Sequence, residues 1–270
     1  MWTFRQTREF FNNHSETYYK NIDAQIAAGE FKHALKWLQQ QQKRHPQDTR
    51  WMLRLGFIYE QQQQKCLAYH WYLTAAQKHS PHAFYHLGRI ELNRQNFKLA
   101  EHYLQQAIEH KYTAAYLALG EMYFQLARYQ TAIYYLKTAL QANHIEALSC
   151  LSRIYLLLKD FPQAKKCLEA AFEHDLKYSA YYLATYYQAL HHFAEAKDWY
   201  IYAFQTEKNL AALENLGQIF CAEGKILYGE KIIALSKKLE QQTVLNSDEN
   251  ALLNSILGES NISSTYLGLS

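Results

Sequence analysis

Apolar residues in this chain recur three and four positions apart, the spacing that turns one face of an α-helix toward a core. The segments are short, and a longer period organises them. A Leu followed by a small residue returns as Leu55-Gly56, Leu87-Gly88, Leu119-Gly120, Leu151-Ser152, Leu183-Ala184 and Leu216-Gly217, at steps of 32, 32, 32, 32 and 33 residues. With the small residue as origin, position +12 is Ala68, Ala100, Ala132, Ala164, Ala196 and Gly229, and position +19 is Ala75, Ala107, Ala139, Ala171, Ala203 and Ser236. Between them, position +16 is always large: Tyr72, Leu104, Leu136, Leu168, Tyr200 and Ile233. Position +3 is aromatic in every unit except one, where Glu91 replaces it. Position +9 is Phe97, Tyr129, Phe161 or Phe193 in four units.

This pattern predicts a helical hairpin per unit. Helix A carries the Leu-small-x-x-Tyr segment and helix B the Ala-x-x-x-large-x-x-Ala segment, with small residues where two backbones cross closely and large ones filling the gap opposite. Asn96, Asp160 and Gly29 precede helix B in their units, and Pro162 stands near a helix start, where its missing N–H costs nothing. A degenerate earlier unit, with Phe31 and Ala34 in register and Pro46 closing it, brings the expectation to seven hairpins between Ser15 and Gln242. The first and last are the least regular, as units with one unpaired face must be. The predicted class is all-α, a right-handed superhelix of stacked hairpins.

The chain has 270 residues, 49% of them apolar, enough for a substantial core. Only 9 Gly and 3 Pro but 23 Tyr fit helices joined by short loops. A net charge of +3 lacks the basic excess of a dedicated nucleic-acid binder. No run of about 18 apolar residues marks a membrane span, and the first residues lack a secretory leader pattern, so a cytoplasmic location is the expectation. Residues 1–14, with Trp2, Phe4, Phe10 and Phe11, are too aromatic for a solvated tail and are expected to form a leading helix that caps the repeats at 15–242. Residues 243–270 change character. They hold no Lys or Arg and carry −3 against +6 for the rest. Leu252, Leu253, Ile256 and Leu257 space as a short amphipathic helix behind an Asn246-Ser247-Asp248-Glu249 start. That helix either covers the last hairpin or enters a groove of its own or a neighbouring molecule.

These Leu-Gly, Tyr, Ala, large, Ala offsets, with Pro46 as a closing proline, resemble the tetratricopeptide repeat. Ala83, Ala115, Ala147 and Ala212, five before the small residue, resemble the related Sel1-like repeat. The 32-residue step is shorter than the tetratricopeptide unit, and the glycine-rich insertion of Sel1-like units is missing.

Catalytic and metal-binding signals are weak. His82 and His86 lie four apart with His79 before them, but no Cys or carboxylate stands at ligand spacing, and both are surface positions of helix A in the repeat frame. His191-His192 falls in a loop. The four cysteines are scattered singly and are expected to be reduced, although Cys150 and Cys167 share a hairpin. No phosphate loop, nucleophile elbow or carboxylate pair occurs, so no enzyme activity, metal or cofactor is expected. Tyr134-Tyr135, Tyr181-Tyr182 and Tyr186-Tyr187 could act as stacking platforms for single-stranded nucleic acid, but one of each pair already has a packing role.

The resemblance implies a concave face lined by the A helices. Carrying over the family's lining offsets places Phe57, Tyr85, Arg89, Glu121, Phe124, Arg153, Tyr181, Thr185 and Gln188 on that face. Aromatics and Arg anchor interfaces, and the alternation Arg89, Glu121, Arg153 would fix the register of an extended or helical guest. Packing between adjacent A helices is the competing role for Tyr85. The family's clamp for a partner's terminal carboxylate uses Lys and Asn, which these positions do not supply. The function expected is a non-enzymatic scaffold or adaptor that holds a peptide or helix of another protein, in assembly, secretion, pilus or regulatory machinery. A self-assembling structural protein that dimerises through its ends and tail is the alternative, and an RNA-binding repeat is third.

Overall fold

The computed structural model describes residues 19–258, and among them the chain is entirely helical. The expected leading helix at residues 1–14 lies outside the described residues. The chain divides into two compact units, one ending at Leu119 and the other beginning at Gly120.

The first unit contains α1 (19–27), α2 (Phe31–Arg44), α3 (Thr49–Gln61), α4 (Lys65–Ala76), α5 (Pro81–Asn93), α6 (Phe97–Glu109) and the opening residues of α7 (Ala114–Gln125). The second contains the rest of α7, then α8 (Tyr129–Gln141), α9 (Ala147–Leu157), α10 (Phe161–Glu173), α11 (Ser179–Ala189), α12 (Phe193–Glu207), α13 (Leu210–Ala222), α14 (Ile226–Glu240) and α15 (Ser247–Gly258). Odd-numbered helices up to α13 are the A helices and even-numbered ones the B helices. In each unit an A helix packs on its own B helix and on the B helix before it, as α5 does with α6 and α4, and α11 with α12 and α10.

The small-and-large register is the packing rule of the hairpins. A Cβ added at Gly56 would sit 2.6 Å from Tyr72, at Gly88 2.7 Å from Leu104, at Gly120 2.5 Å from Leu136 and at Gly217 2.6 Å from Ile233. The residue at +16 therefore fills the space where the origin residue has no side chain, and every +16 residue except Ile233 is fully buried. The alanines at +12 and +19, which flank the +16 residue on the same face of helix B, are buried to within about 1%.

The loops close by a device the sequence does not advertise. Residues Gln63, Gln95, Ala127, Lys159 and His191 adopt left-handed backbone at φ of 55–61°, one repeat apart, and Gly29 and Gly224 do the same in the outer units. The next residue's N–H then bonds back to the carbonyl at +3: Gln64 to Tyr59, Asn96 to Glu91, Arg128 to Tyr123, Asp160 to Tyr155 and His192 to Tyr187, all at 2.8–2.9 Å. These are Schellman closures of helix A. Helix B ends in the same way. The residue after Lys111, Asn143 or Asp175 donates to the alanine at +19, at 2.9–3.0 Å. Asp160 caps α10 by accepting from Gln163 N–H at 3.3 Å. Asn96 makes no side-chain cap; its amide goes instead to the carboxylate of Glu91.

Glu91, the one non-aromatic residue at +3, is 1% exposed. Its carboxylate accepts from Arg94 Nη1 at 2.8 Å and Asn96 Nδ2 at 2.6 Å, and Arg94 in turn lies 4.8 Å over the Tyr69 ring. A buried carboxylate is tolerable only with such partners.

The last described helix is α15. Asn246 Oδ1 accepts from Glu249 N–H at 2.9 Å while Glu249 Oε2 accepts from Asn246 N–H at 3.0 Å, a capping box. Ile256 is buried, Lys238 pairs with Glu249, and Gln205 Nε2 donates to Leu257 O at 2.9 Å, so α15 seats on α12 and α14.

Candidate partner-binding site

Leu and the small residue after it turn inward on each A helix, so positions +1 and +4 emerge on the opposite flank. In the first unit this exposes Phe57 on α3 at 39% and Arg89 on α5. Tyr85 is half-buried, its ring 5.1 Å from Tyr112 and 5.8 Å from the Arg89 guanidinium, so it combines packing with partial exposure. His86 lies flat against Tyr72 at 4.6 Å, and His82 is 4.6 Å from Tyr112. Burial, with Arg89 and His82 beside it, pulls the His86 imidazole down to about 4. These histidines are thus ring-packing groups. Among the described residues no three His, Cys, Asp or Glu side chains converge as a metal site would require.

In the second unit a denser constellation forms across three A helices. The Arg153 guanidinium of α9 lies 4.7 Å from the Phe124 ring of α7 and 5.7 Å from the Tyr182 ring of α11. An arginine between two aromatic faces is held without losing its charge. Burial raises the Tyr182 phenol, opposed by Arg153. Glu121 and Arg153 both act on the Cys150 thiol beneath them, which burial pushes up to about 11. Tyr181 is fixed separately. Asn215 of α13 donates to its hydroxyl at 3.0 Å and to the Tyr200 hydroxyl at 3.1 Å.

Two of the expected contact residues each make one hydrogen bond within the fold. Thr185 Oγ1 donates to its own helix at Tyr182 O, 2.8 Å. Gln188 Oε1 accepts from the buried Tyr200 hydroxyl at 2.5 Å. The same link occurs in the first unit, where Tyr72 OH donates to Glu60 Oε2 at 2.9 Å. The rule is readable in the chain: where +16 is Tyr, +4 is an acceptor, Glu60 or Gln188; where +16 is Leu, +4 is Leu92, Phe124 or Leu156. Phe124 is thereby released to face Arg153. Asn215 and Tyr182 escaped the offsets altogether, since neither stands at +1, +4 or −3.

Of the tyrosine pairs, Tyr186 is buried and Tyr135 stacks on Tyr123 at 5.5 Å, while Tyr134 is 65% exposed. All four cysteines are free thiols.

Residues 85–144 match the tetratricopeptide-repeat family model. A search of curated proteins returns no match. Among solved structures, one similar chain comes from the APC/C hetero-tetramer Cut9–Hcn1, with TM-score 0.67 and 15% identity over 89% of this chain and 48% of that one. This chain therefore spans about half the length of that relative. A tetratricopeptide repeat protein from Parabacteroides merdae matches with TM-score 0.63 and 17% identity, over 90% and 98% of the two chains. A Sel1 repeat protein from Oxalobacter formigenes gives 0.60 and 19% over 82% and 99%.

The fold is that of solved tetratricopeptide and Sel1 repeat proteins, and residues 85–144 carry the tetratricopeptide match. Proteins built on this repeat are generally scaffolds for protein–protein interaction. Among the described residues of this repeat protein, no helix is long and apolar enough to cross a membrane.

Proposed function

We propose that this repeat protein is a non-enzymatic scaffold that grips a peptide segment or helix of a partner protein along the A helices of its second unit. One observation carries the reading: Arg153 is seated between the rings of Phe124 and Tyr182, each on a different A helix. The arrangement sets an oriented cation and two flat apolar faces side by side, and Asn215 holds Tyr181 as a third ring next to them. Interfaces draw their energy from a few such rigid aromatic and Arg anchors, because little side-chain entropy is lost when a guest arrives. Glu121, one repeat before Arg153, supplies the opposite charge and hence direction along the guest. The first unit offers Phe57, Tyr85 and Arg89 as a separate set. The Cut9–Hcn1 chain occurs in a hetero-tetramer, which is in keeping with assembly as the role.

The test is partner capture from native lysate with the wild type and a Phe124→Ala/Arg153→Ala double variant side by side. Neither residue is fully buried, so helical content and melting should persist while the captured band is lost. A double variant that retains its partner rejects the assignment.

A further inference from the structure

The repeat itself defines what is missing at its last hairpin. In the fourth hairpin, Gln130 at +10 and Ile133 at +13 form one wall of a crevice of about 500 Å³, and Tyr155, Leu158 and Asp160 of the following repeat form the other. In the last hairpin the same positions belong to the start of α14. There Leu227 at +10 lines a depression of about 470 Å³ with Lys225, Ile226, Tyr228 and Lys231, all from that one hairpin. The opposite wall is not supplied by α15, which seats on α12 and α14 through Ile256 and the Lys238–Glu249 pair. The consequences show in burial. Ile226 is 58% exposed, whereas Phe97, Tyr129, Phe161 and Phe193 at +9 are half-buried. Ile233 is half-buried, whereas its five counterparts at +16 are fully buried. Leu227, at 70%, stands where the four preceding units place Lys98, Gln130, Pro162 and Ala194.

We propose that this end of α14 docks an amphipathic helix of a partner protein, bearing acidic flanks, in the place a further A helix would take. The apolar part of the occupant answers Ile226 and Leu227, since the wall opposite +10 in the fourth hairpin is an aromatic and a Leu at A-helix spacing; +13, apolar there as Ile133, is Glu230 in the last hairpin. Its charge is set by Lys225 and Lys231, which flank Ile226 and Leu227; Glu230 is the single acid from 225 to 231, and Glu223 is held by Lys197 at 2.8 Å. The residues before 243 carry +6, which favours an acidic approach to the repeats. This docking is independent of Phe124 and Arg153, so it stands or falls apart from the function proposed above.

The probe is a dye-labelled helical peptide with Leu and Tyr at A-helix spacing and Glu on its flanks, and a twin with Lys replacing each Glu. Anisotropy titration against the full chain should show the acidic peptide binding about tenfold more tightly than its twin, and Leu227→Lys weakening it by about tenfold or more. Lys231→Glu should narrow the preference between the peptides. Leu227 is too exposed for its replacement to unfold the hairpin, and unchanged melting by circular dichroism confirms this. Binding that is indifferent to Leu227→Lys, equal binding of both peptides, or binding of neither overturns the proposal. A shift from dimer to monomer in light scattering on Leu227→Lys also overturns it, because the occupant is then a second copy.

Discussion

Adding one methyl group at Gly120 tests the packing rule of the hairpins directly. A Cβ there would lie 2.5 Å from Leu136 Cγ, 2.6 Å from Leu136 Cδ2 and 3.3 Å from Leu136 N. The first two atoms belong to a branch point held in a fully buried side chain, so they cannot swing aside as the tip of a Lys would. Overpacking of this kind costs about 1–3 kcal/mol. Against it stands the helix preference of Ala over Gly, about 1 kcal/mol in α7. Gly120→Ala alone should therefore destabilise, by about 1 kcal/mol net at the middle of those ranges. Leu136→Ala alone should cost about 2–5 kcal/mol through the cavity it leaves. In that background the obstruction is gone, and Gly120→Ala should now stabilise by about 1 kcal/mol. The sign reverses between backgrounds, a coupling of about 2 kcal/mol, within the range seen for residues in contact. Urea titrations of the four chains, followed by circular dichroism at the helix band, complete the cycle. The same sign of Gly120→Ala in both backgrounds would refute the claim that the small residue exists to admit the +16 side chain.

Three further outcomes follow from separate features. Tyr200→Phe removes the hydroxyl that bonds Gln188 and receives Asn215, and should cost about 1–2 kcal/mol in urea unfolding, against no measurable change for Tyr134→Phe on the surface. His86 is held neutral in the folded chain, down to about 4, while the unfolded chain takes up its proton near the ordinary value of 6.5. Its contribution is thus complete above about pH 6.5 and lost as the pH falls toward 4, so the stability slope in that window should flatten in His86→Phe, as read by melting temperature against pH. Ala127 holds a left-handed turn at φ 55°, where L-residues carry a penalty of about 1–2 kcal/mol that Gly avoids; Ala127→Gly should leave the melting temperature unchanged or raise it, and a fall would refute the turn assignment.

The architecture was legible because the constraint that creates it is steric and recurs. Gly56, Gly88 and Gly120 must be small for one reason, and that reason leaves the same trace every 32 residues. The turns left no such trace. Gln63, Gln95 and Lys159 adopt left-handed backbone without Gly or Asn chemistry, since the hydrogen bonds on either side enforce what the side chain does not favour. Glu91 was visible as a departure, and Arg94 and Asn96 lie three and five residues on at the end of the same helix; only Tyr69, from α4, is brought over Arg94 when α4 and α5 pack. On the candidate face, the offsets name Phe124, Arg153, Gln188 and Thr185 alike, and do not show that Gln188 Oε1 and Thr185 Oγ1 bond within the fold. That distinction depended on whether +16 is Tyr or Leu, a pairing between helices rather than a motif within one.

Because each helix from α3 to α12 finishes its own carbonyls through a back-turned residue, no hairpin borrows its neighbour's backbone to complete itself. Within each unit, the joint between one hairpin and the next is a turn whose backbone hydrogen bonds are all local. A stretch of 32 residues cut at such a joint carries both of its terminators along, so duplication or excision in steps of that length preserves a sealed main chain and changes reach alone. Length in this molecule is in that sense an adjustable quantity, one that inheritance or an engineer can dial without redesigning a single bend.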